Sequence, residues 1–224
     1  NEDLYLDGML AGTLMDPDVE LLLEHSKPAP FGRGEETVYN PNVRLAKSIP
    51  GERLKTKHPH VSGTPLARLC ETVKCVARGL DPRYGATVNL SKLHIYEEGG
   101  HFTVHRDTLQ SQEHIGSVVV ILGSAFTGGE FLIDGQVCPL AIDHEKAELP
   151  LVVFHTDTLH EVRPVISGVR VSLQFDVFRS EPPVYGVDYD PHILGDHIVE
   201  STNTSTPFVD EAKCDAVVAK VIER

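Results

Sequence analysis

Two histidines and an aspartate are the residues of this 224-residue chain whose types and spacing could do redox chemistry. His105-Arg106-Asp107 falls at the end of a predicted strand, where alternate residues share a face, so an imidazole and a carboxylate can point at one spot. His160 comes four predicted strands later, and a closed double-layer jelly roll could return it beside that pair. Two histidines and one carboxylate with open coordination positions make the facial triad that suits non-haem Fe(II). Beyond them, Arg170 and Ser172 are two apart on the last predicted strand and share a face. A guanidinium and a hydroxyl placed so can clamp a carboxylate, the Arg through a bidentate charge-assisted bond. A metal triad with a buried carboxylate anchor is what a 2-oxoacid cosubstrate requires.

Twelve histidines make chance spacings common. His155-Thr156-Asp157 is a second H-x-D, with His197 downstream, but that histidine lies in a Pro-rich polar stretch with no Arg-x-Ser after it. Context therefore favours His105, Asp107 and His160, with His155 the residue best placed to usurp His160. An aromatic such as Tyr96 on a strand is core packing by default. Ser117 and Ser172 have an equally plain alternative, local hydrogen bonding.

The elements that must position these groups follow from periodicity and turn chemistry. Short β-rich runs at 87–96, 102–105, 115–122, 130–133, 151–154, 159–162 and 169–178 are separated by turn residues without intervening helices, which predicts a sandwich or barrel. Ahead of them, 16–25 reads as a short helix and 31–62 as a long, lid-like loop with one strand-like run at 37–39. Thr64-Pro65 opens a helix whose apolar residues Leu66, Leu69, Cys70, Val73, Ala77 and Leu80 recur at helical spacing. A last helix is predicted from Thr206-Pro207 through Val217 and Val221. The chain is thus expected to be one domain, 1–224, with N-terminal helices and loop over 1–86, a β core over 87–178 and a helix-bearing extension over 179–224.

Composition narrows the partners. Twenty Lys and Arg against thirty-three Asp and Glu leave a net charge of −13, which opposes phosphate-dominated binding to nucleic acid and to anionic membranes. No apolar run approaches the roughly 20 residues needed to cross a bilayer. The opening stretch lacks a basic segment followed by a long apolar one, so no signal peptide is expected. Cys70, Cys75, Cys138 and Cys214 form no C-x-x-C pair or tight ladder, which favours a reducing compartment, cytoplasmic or nuclear.

Taken together, Tyr96-Glu97-Glu98-Gly99-Gly100-His101-Phe102, His105-Arg106-Asp107-Thr108, Gly128-Gly129-Glu130 and His160-Glu161-Val162 with Pro164, Gly168 and Arg170 resemble the prolyl 4-hydroxylase-like Fe(II)/2-oxoglutarate-dependent dioxygenases. The resemblance runs from about residue 38 to residue 178. It implies a mainly β, double-stranded β-helix (a cupin-like jelly roll) buttressed by N-terminal helices. It places iron on His105, Asp107 and His160, and the distal carboxylate of 2-oxoglutarate on Arg170, with Tyr96, Ser117 and Ser172 as further cosubstrate contacts. Tyr39-Asn40-Pro41-Asn42-Val43-Arg44 looks like the family's segment leading into the substrate cleft, with Asn40 where the family often has Asp. That makes Tyr39 and Arg44 candidate substrate contacts.

The chemistry implied is oxidative decarboxylation of 2-oxoglutarate by O2 to succinate and CO2, with a hydroxyl delivered to the substrate and ascorbate as a reductant. A carboxylate at Asp107 favours hydroxylation over the halogenation seen where the family has a small residue there. Peptidyl proline is the first-ranked substrate by resemblance, and a free amino acid or other small molecule the second. A nucleobase demethylase is disfavoured by the charge, and a non-catalytic jelly-roll binding module by the intact triad and anchor.

Overall fold

The computed structural model describes residues 3–33, 36–54, 65–81, 84–146, 148–181 and 217–221. The N-terminal third carries β1 (Asp3–Leu6), β2 (Met9–Thr13), α1 (Val19–Glu24), β3 (Lys27–Pro28), β4 (Phe31–Arg33), β5 (Glu36–Val38), β6 (Arg44–Leu45) and β7 (Lys47–Pro50). After α2 (Pro65–Ala77) come β8 (Gly85–Tyr96), β9 (His101–His105), β10 (His114–Ile121), β11 (Phe126–Gly128), β12 (Phe131–Ile133) and β13 (Gln136–Val137). The remaining strands are β14 (Leu149–His155), β15 (His160–Val162), β16 (Val165–Gly168), β17 (Arg170–Ser180) and β18 (Val217–Val221).

The strands form a jelly roll. A seven-stranded sheet in the order β18-β14-β10-β17-β8-β7-β3 faces a five-stranded sheet in the order β13-β12-β15-β9-β6. Between them lies a core to which the large sheet contributes Val119, Ile121, Val152 and Phe154 and the small sheet Phe102, Phe131, Ile133 and Val162. The opposite face of the large sheet buries Leu93, Ile95, Val118, Val120, Val171, Leu173 and Phe175 against Leu4 and Leu6 of β1, Leu22 of α1, and Leu69, Val73 and Val76 of α2. Both follow from the strand period of two, which sends successive side chains into different cores.

The N-terminal region differs from its predicted form. The two predicted helices are present, but the stretch read as one long loop carries short strands, because its backbone groups are satisfied by pairing with the body of the fold. β7 extends the large sheet by pairing with β8, Lys47 opposite Ile95, and β6 extends the small sheet by pairing with β9, Arg44 opposite Phe102. Strands of two to four residues are too short for their own periodicity to announce them. Only α1 and α2 match the predicted helices, α1 being capped by the Asp18 carboxylate, which accepts from the Leu21 N–H at 3.0 Å.

At the other end, Val217–Val221 is a strand parallel to β14 rather than the end of a helix. Three valines in five residues favour the sheet edge, where β14 supplies the partner. The start of the predicted helix, 206–216, lies outside the described residues. Among the described residues no helix is long and apolar enough to cross a membrane.

Candidate active site

β9 and β15 are antiparallel neighbours with His105 directly opposite His160, so the two rings meet across the pair, centroids 4.1 Å apart. Asp107, two residues past the end of β9, turns back to the same point, its Oδ1 lying 3.5 Å from His160 Nε2. One ligand atom from each of His105, Asp107 and His160 lies within 4.8 Å of the others. That spacing lets all three reach a single ion.

Their hydrogen bonds set the tautomers a metal needs. His105 Nδ1–H donates to the Thr103 carbonyl at 2.8 Å and His160 Nδ1–H to the Thr158 carbonyl at 3.0 Å. Both rings are thereby fixed in the tautomer that leaves Nε2 as an open lone pair. Burial, followed by repulsion from His160, pushes the His105 pKa down to about 3. Burial works against the charge of Asp107, but His160 and the Ser117 hydroxyl, which donates to its Oδ2 at 2.5 Å, outweigh it and hold the pKa at about 2. A neutral imidazole at His105 and a carboxylate at Asp107 result. Aromatic rings wall the group: Phe102 stacks on His105 at 3.5 Å, and Phe154 lies 4.6 Å from His160.

Arg170 opens β17 and faces the same interior at the far end of the large sheet, opposite Tyr96 of β8. It is 2% exposed, and its Nη1 donates to Ser172 Oγ at 3.2 Å. Its Nη2 is buried without a hydrogen-bond partner, and no carboxylate among the described residues pairs with the guanidinium. Burial alone lowers its pKa, with Tyr96 opposing. A buried cation left with an open donor fits a carboxylate ligand. Gly129, in the left-handed region at φ 65°, makes room for it: a Cβ there would come within 3.0 Å of Arg170 Cδ. Gly128-Gly129 thus does more than turn the chain.

Of the remaining candidates, Tyr96 and Ser172 lie beside Arg170, with Tyr96 5.4 Å beneath the guanidinium and Ser172 accepting from it. Ser117 is elsewhere: its hydroxyl donates to Asp107 Oδ2. Tyr39 is 54% exposed, but Arg44 is buried. Arg44 Nη1 donates to the Pro30 carbonyl at 3.0 Å, Nη2 donates to His94 Nδ1 at 2.9 Å, and its plane lies 4.5 Å over Phe102. Its Nε is buried without a hydrogen-bond partner, and the side chain forms part of the wall. His155 lines a separate surface pocket with His114 and Arg179, and His197 lies outside the described residues.

Sequence reasoning missed three inward residues on this wall, Lys92, His94 and Gln174. His94 Nε2–H donates to Gln174 Oε1 at 2.9 Å. The signal was available, since stepping by two from Tyr96 gives His94 and Lys92, and from Arg170 gives Ser172 and Gln174.

Residues 91–175, which contain the triad and Arg170, match the model of the 2OG-Fe(II) oxygenase superfamily. Over that stretch the chain is similar to that superfamily. Similar solved structures include a Burkholderia pseudomallei oxidoreductase of the 2OG-Fe(II) oxygenase family, 21% identical over 74% of this chain and 79% of that one, TM-score 0.42. A Pseudomonas putida prolyl-4-hydroxylase is 18% identical over 70% and 79%, TM-score 0.46. A Trichoplax adhaerens prolyl hydroxylase, in complex with a hypoxia inducible factor oxygen degradation domain peptide fragment, is 17% identical over 71% and 74%, TM-score 0.47. No curated protein matches this chain in sequence.

Proposed function

We propose that this protein is an Fe(II)- and 2-oxoglutarate-dependent dioxygenase that hydroxylates an unactivated C–H bond, in a peptidyl prolyl or other protein side chain. His105 Nε2, Asp107 and His160 Nε2 hold the iron, and Arg170 binds the distal carboxylate of 2-oxoglutarate with Tyr96 and Ser172 beside it. The observation that carries this reading is the pairing of a His-Asp-His cluster, its imidazole tautomers fixed, with a buried guanidinium whose Nη2 has no partner. With both bound, the group supplies a balanced four-electron reduction of O2: 2-oxoglutarate, O2 and R–H become succinate, CO2 and R–OH.

The protein residues have distinct parts. The Thr103 and Thr158 carbonyls fix the tautomers, and Ser117 orients Asp107. Phe102, Phe131 and Phe154 keep bulk water from the two imidazoles. The prolyl choice rests on the motif resemblance and on the exposed Tyr39 of the 39–44 segment.

Anaerobic titration of the metal-stripped protein with Fe(II), then with 2-oxoglutarate, tests the assignment. A saturable visible charge-transfer band is expected. Arg170→Ala weakens 2-oxoglutarate binding at least about 30-fold while iron binding persists, because truncating one partner of a buried charge pair typically costs 2–5 kcal/mol. No band from the folded protein, or an unchanged cosubstrate affinity in the variant, rejects it.

A further inference from the structure

The inner face of the large sheet is divided. On β10 and β14 it carries Val119, Ile121, Val152 and Phe154, all buried in the core. On β8 and β17 it is polar, and the register runs in order from the anchor end: Tyr96 opposite Arg170, His94 opposite Ser172, Lys92 opposite Gln174, Asn89 opposite Asp176. Asp176 in turn pairs with Ser117 of β10, the residue that holds Asp107. Lys92 therefore stands on the wall beside the metal end, well away from Arg170.

A lysine directed into a barrel is tolerated only where water reaches it. Leu93 and His94, its neighbours, are buried, whereas Lys92 is exposed, so the barrel opens to solvent at this point. Enough protein surrounds the stem that burial, then repulsion from Arg44, lowers the ammonium pKa, while Asp176 and Asp107 act on it as nearby anions. Neither comes within ion-pair distance. The other polar groups are committed: Gln174 accepts from His94, and Asp176, largely buried, takes a hydrogen bond from Ser91 and faces His114 at 4.0 Å. Among the described residues Lys92 is thus an unpaired cation at an opening next to the triad, in a chain of net charge −13.

Resting on the oxygenase reading, we propose that Lys92 recognises the primary substrate through a carboxylate that lies close to the carbon to be hydroxylated. The distal carboxylate of 2-oxoglutarate has its own cation in Arg170, which leaves Lys92 for the second substrate. Two strand spacings, about 10 Å, separate β8 from β10, and a flexible four-carbon stem spans much of that. The carboxylate is then either an acidic side chain flanking the target residue or the α-carboxylate of a free amino acid.

The test is a charge-graded panel scored by substrate-dependent succinate release, after the Fe(II)/2-oxoglutarate band has been recorded for each protein. One arm holds N-acetylated, C-amidated X-Pro-Z peptides with acidic, neutral and basic flanks, and the other free amino acids with their C-amidated forms. Acidic peptides ahead of neutral ones identify a side-chain carboxylate; free acids ahead of their amides identify an α-carboxylate. Lys92→Gln raises the KM of the preferred substrate about tenfold and Lys92→Arg restores most of it, with the band unchanged. Lys92→Glu shifts the preference toward basic members. A ranking that Lys92→Glu leaves in place overturns the proposal, as does a wild type that forms the band yet prefers no carboxylate-bearing member or turns over none. Absence of the band in the wild type instead rejects the oxygenase reading itself.

Discussion

Strand β17 carries two kinds of residue in strict alternation. Val171, Leu173, Phe175 and Val177 point outward into the core shared with α2 and the N-terminal hairpin, and all are fully buried. Arg170, Ser172, Gln174 and Asp176 point inward, where one is held with an open donor, one orients it, one fixes a histidine and one faces the metal end. The outer face gains stability from burial, about 25 cal/mol per Å2 of apolar surface. Much of that gain is offset on the inner face, where polar groups are desolvated for the sake of chemistry. One backbone therefore separates stability from function by side-chain parity.

The largest expected effect would come from the inner side. Asp107→Ala should abolish iron-dependent 2-oxoglutarate decarboxylation yet leave the melting temperature of the metal-free protein within a few degrees of wild type, as paired turnover and calorimetry would show. A collapse of the fold in that variant would break the division, since it would mean that the site also holds the sheets together. Leu173→Ala should do the reverse. It removes a fully buried side chain and should cost about 2–5 kcal/mol in denaturant unfolding, with turnover per folded molecule unchanged. A loss of activity beyond the folded fraction would show that the outer core also tunes the site.

The same parity decided what could be read from the sequence. The core strands were legible because long runs such as β8 and β17 alternate and are bounded by turns, and the cluster of His105, Asp107 and His160 was legible because these residues sit at or just past strand ends inside a specific motif set. The N-terminal hairpin was overlooked although Asp7-Gly8, at φ 50° and 86°, is the Asp-Gly turn that joins β1 to β2. That signal lay in the chain. The pairing of β6 and β7 with the edges of the two sheets did not, because such short strands are specified by their partners. Arg44 shows a third limit: motif position suggested a substrate contact, but only coordinates reveal that its Nη1 and Nη2 meet Pro30 and His94 while its Nε is left open.

Ser117 sharpens the comparison at smaller scale, because it sits on β10 between the outward Val118 and the triad. Ser117→Ala deletes the donor to Asp107 Oδ2 without changing the fold's apolar packing. Removing such an orienting partner should weaken Fe(II) affinity about 10-fold, within the usual range for groups that support metal ligands, and leave 2-oxoglutarate affinity of the iron-loaded protein nearly unchanged. Iron titrations of variant and wild type measure the first, and the charge-transfer band the second. Equal loss of both would return Ser117 to the cosubstrate side.

The smallest effect separates the two faces by proton linkage. His94 is buried, accepts from Arg44 and donates to Gln174, so it is neutral; burial, then Arg44, holds its pKa well below 6.5. A group whose folded pKa is depressed contributes stability that is complete above its unfolded value and is lost as pH falls toward the folded one. From pH 6.5 downward the unfolded state takes up this proton and the native state does not, so His94 should lower stability on acidification by up to about 1.4 kcal/mol per pH unit. Denaturant unfolding of the metal-free protein from pH 7.5 to 5 should give a flatter profile for His94→Gln than for wild type. Leu173→Ala, being apolar on the outer face, should run parallel to wild type at a constant offset. Parallel curves for all three would place the acid sensitivity elsewhere and remove this distinction between the faces, because the inner wall would then hold its histidine without any proton-linked cost.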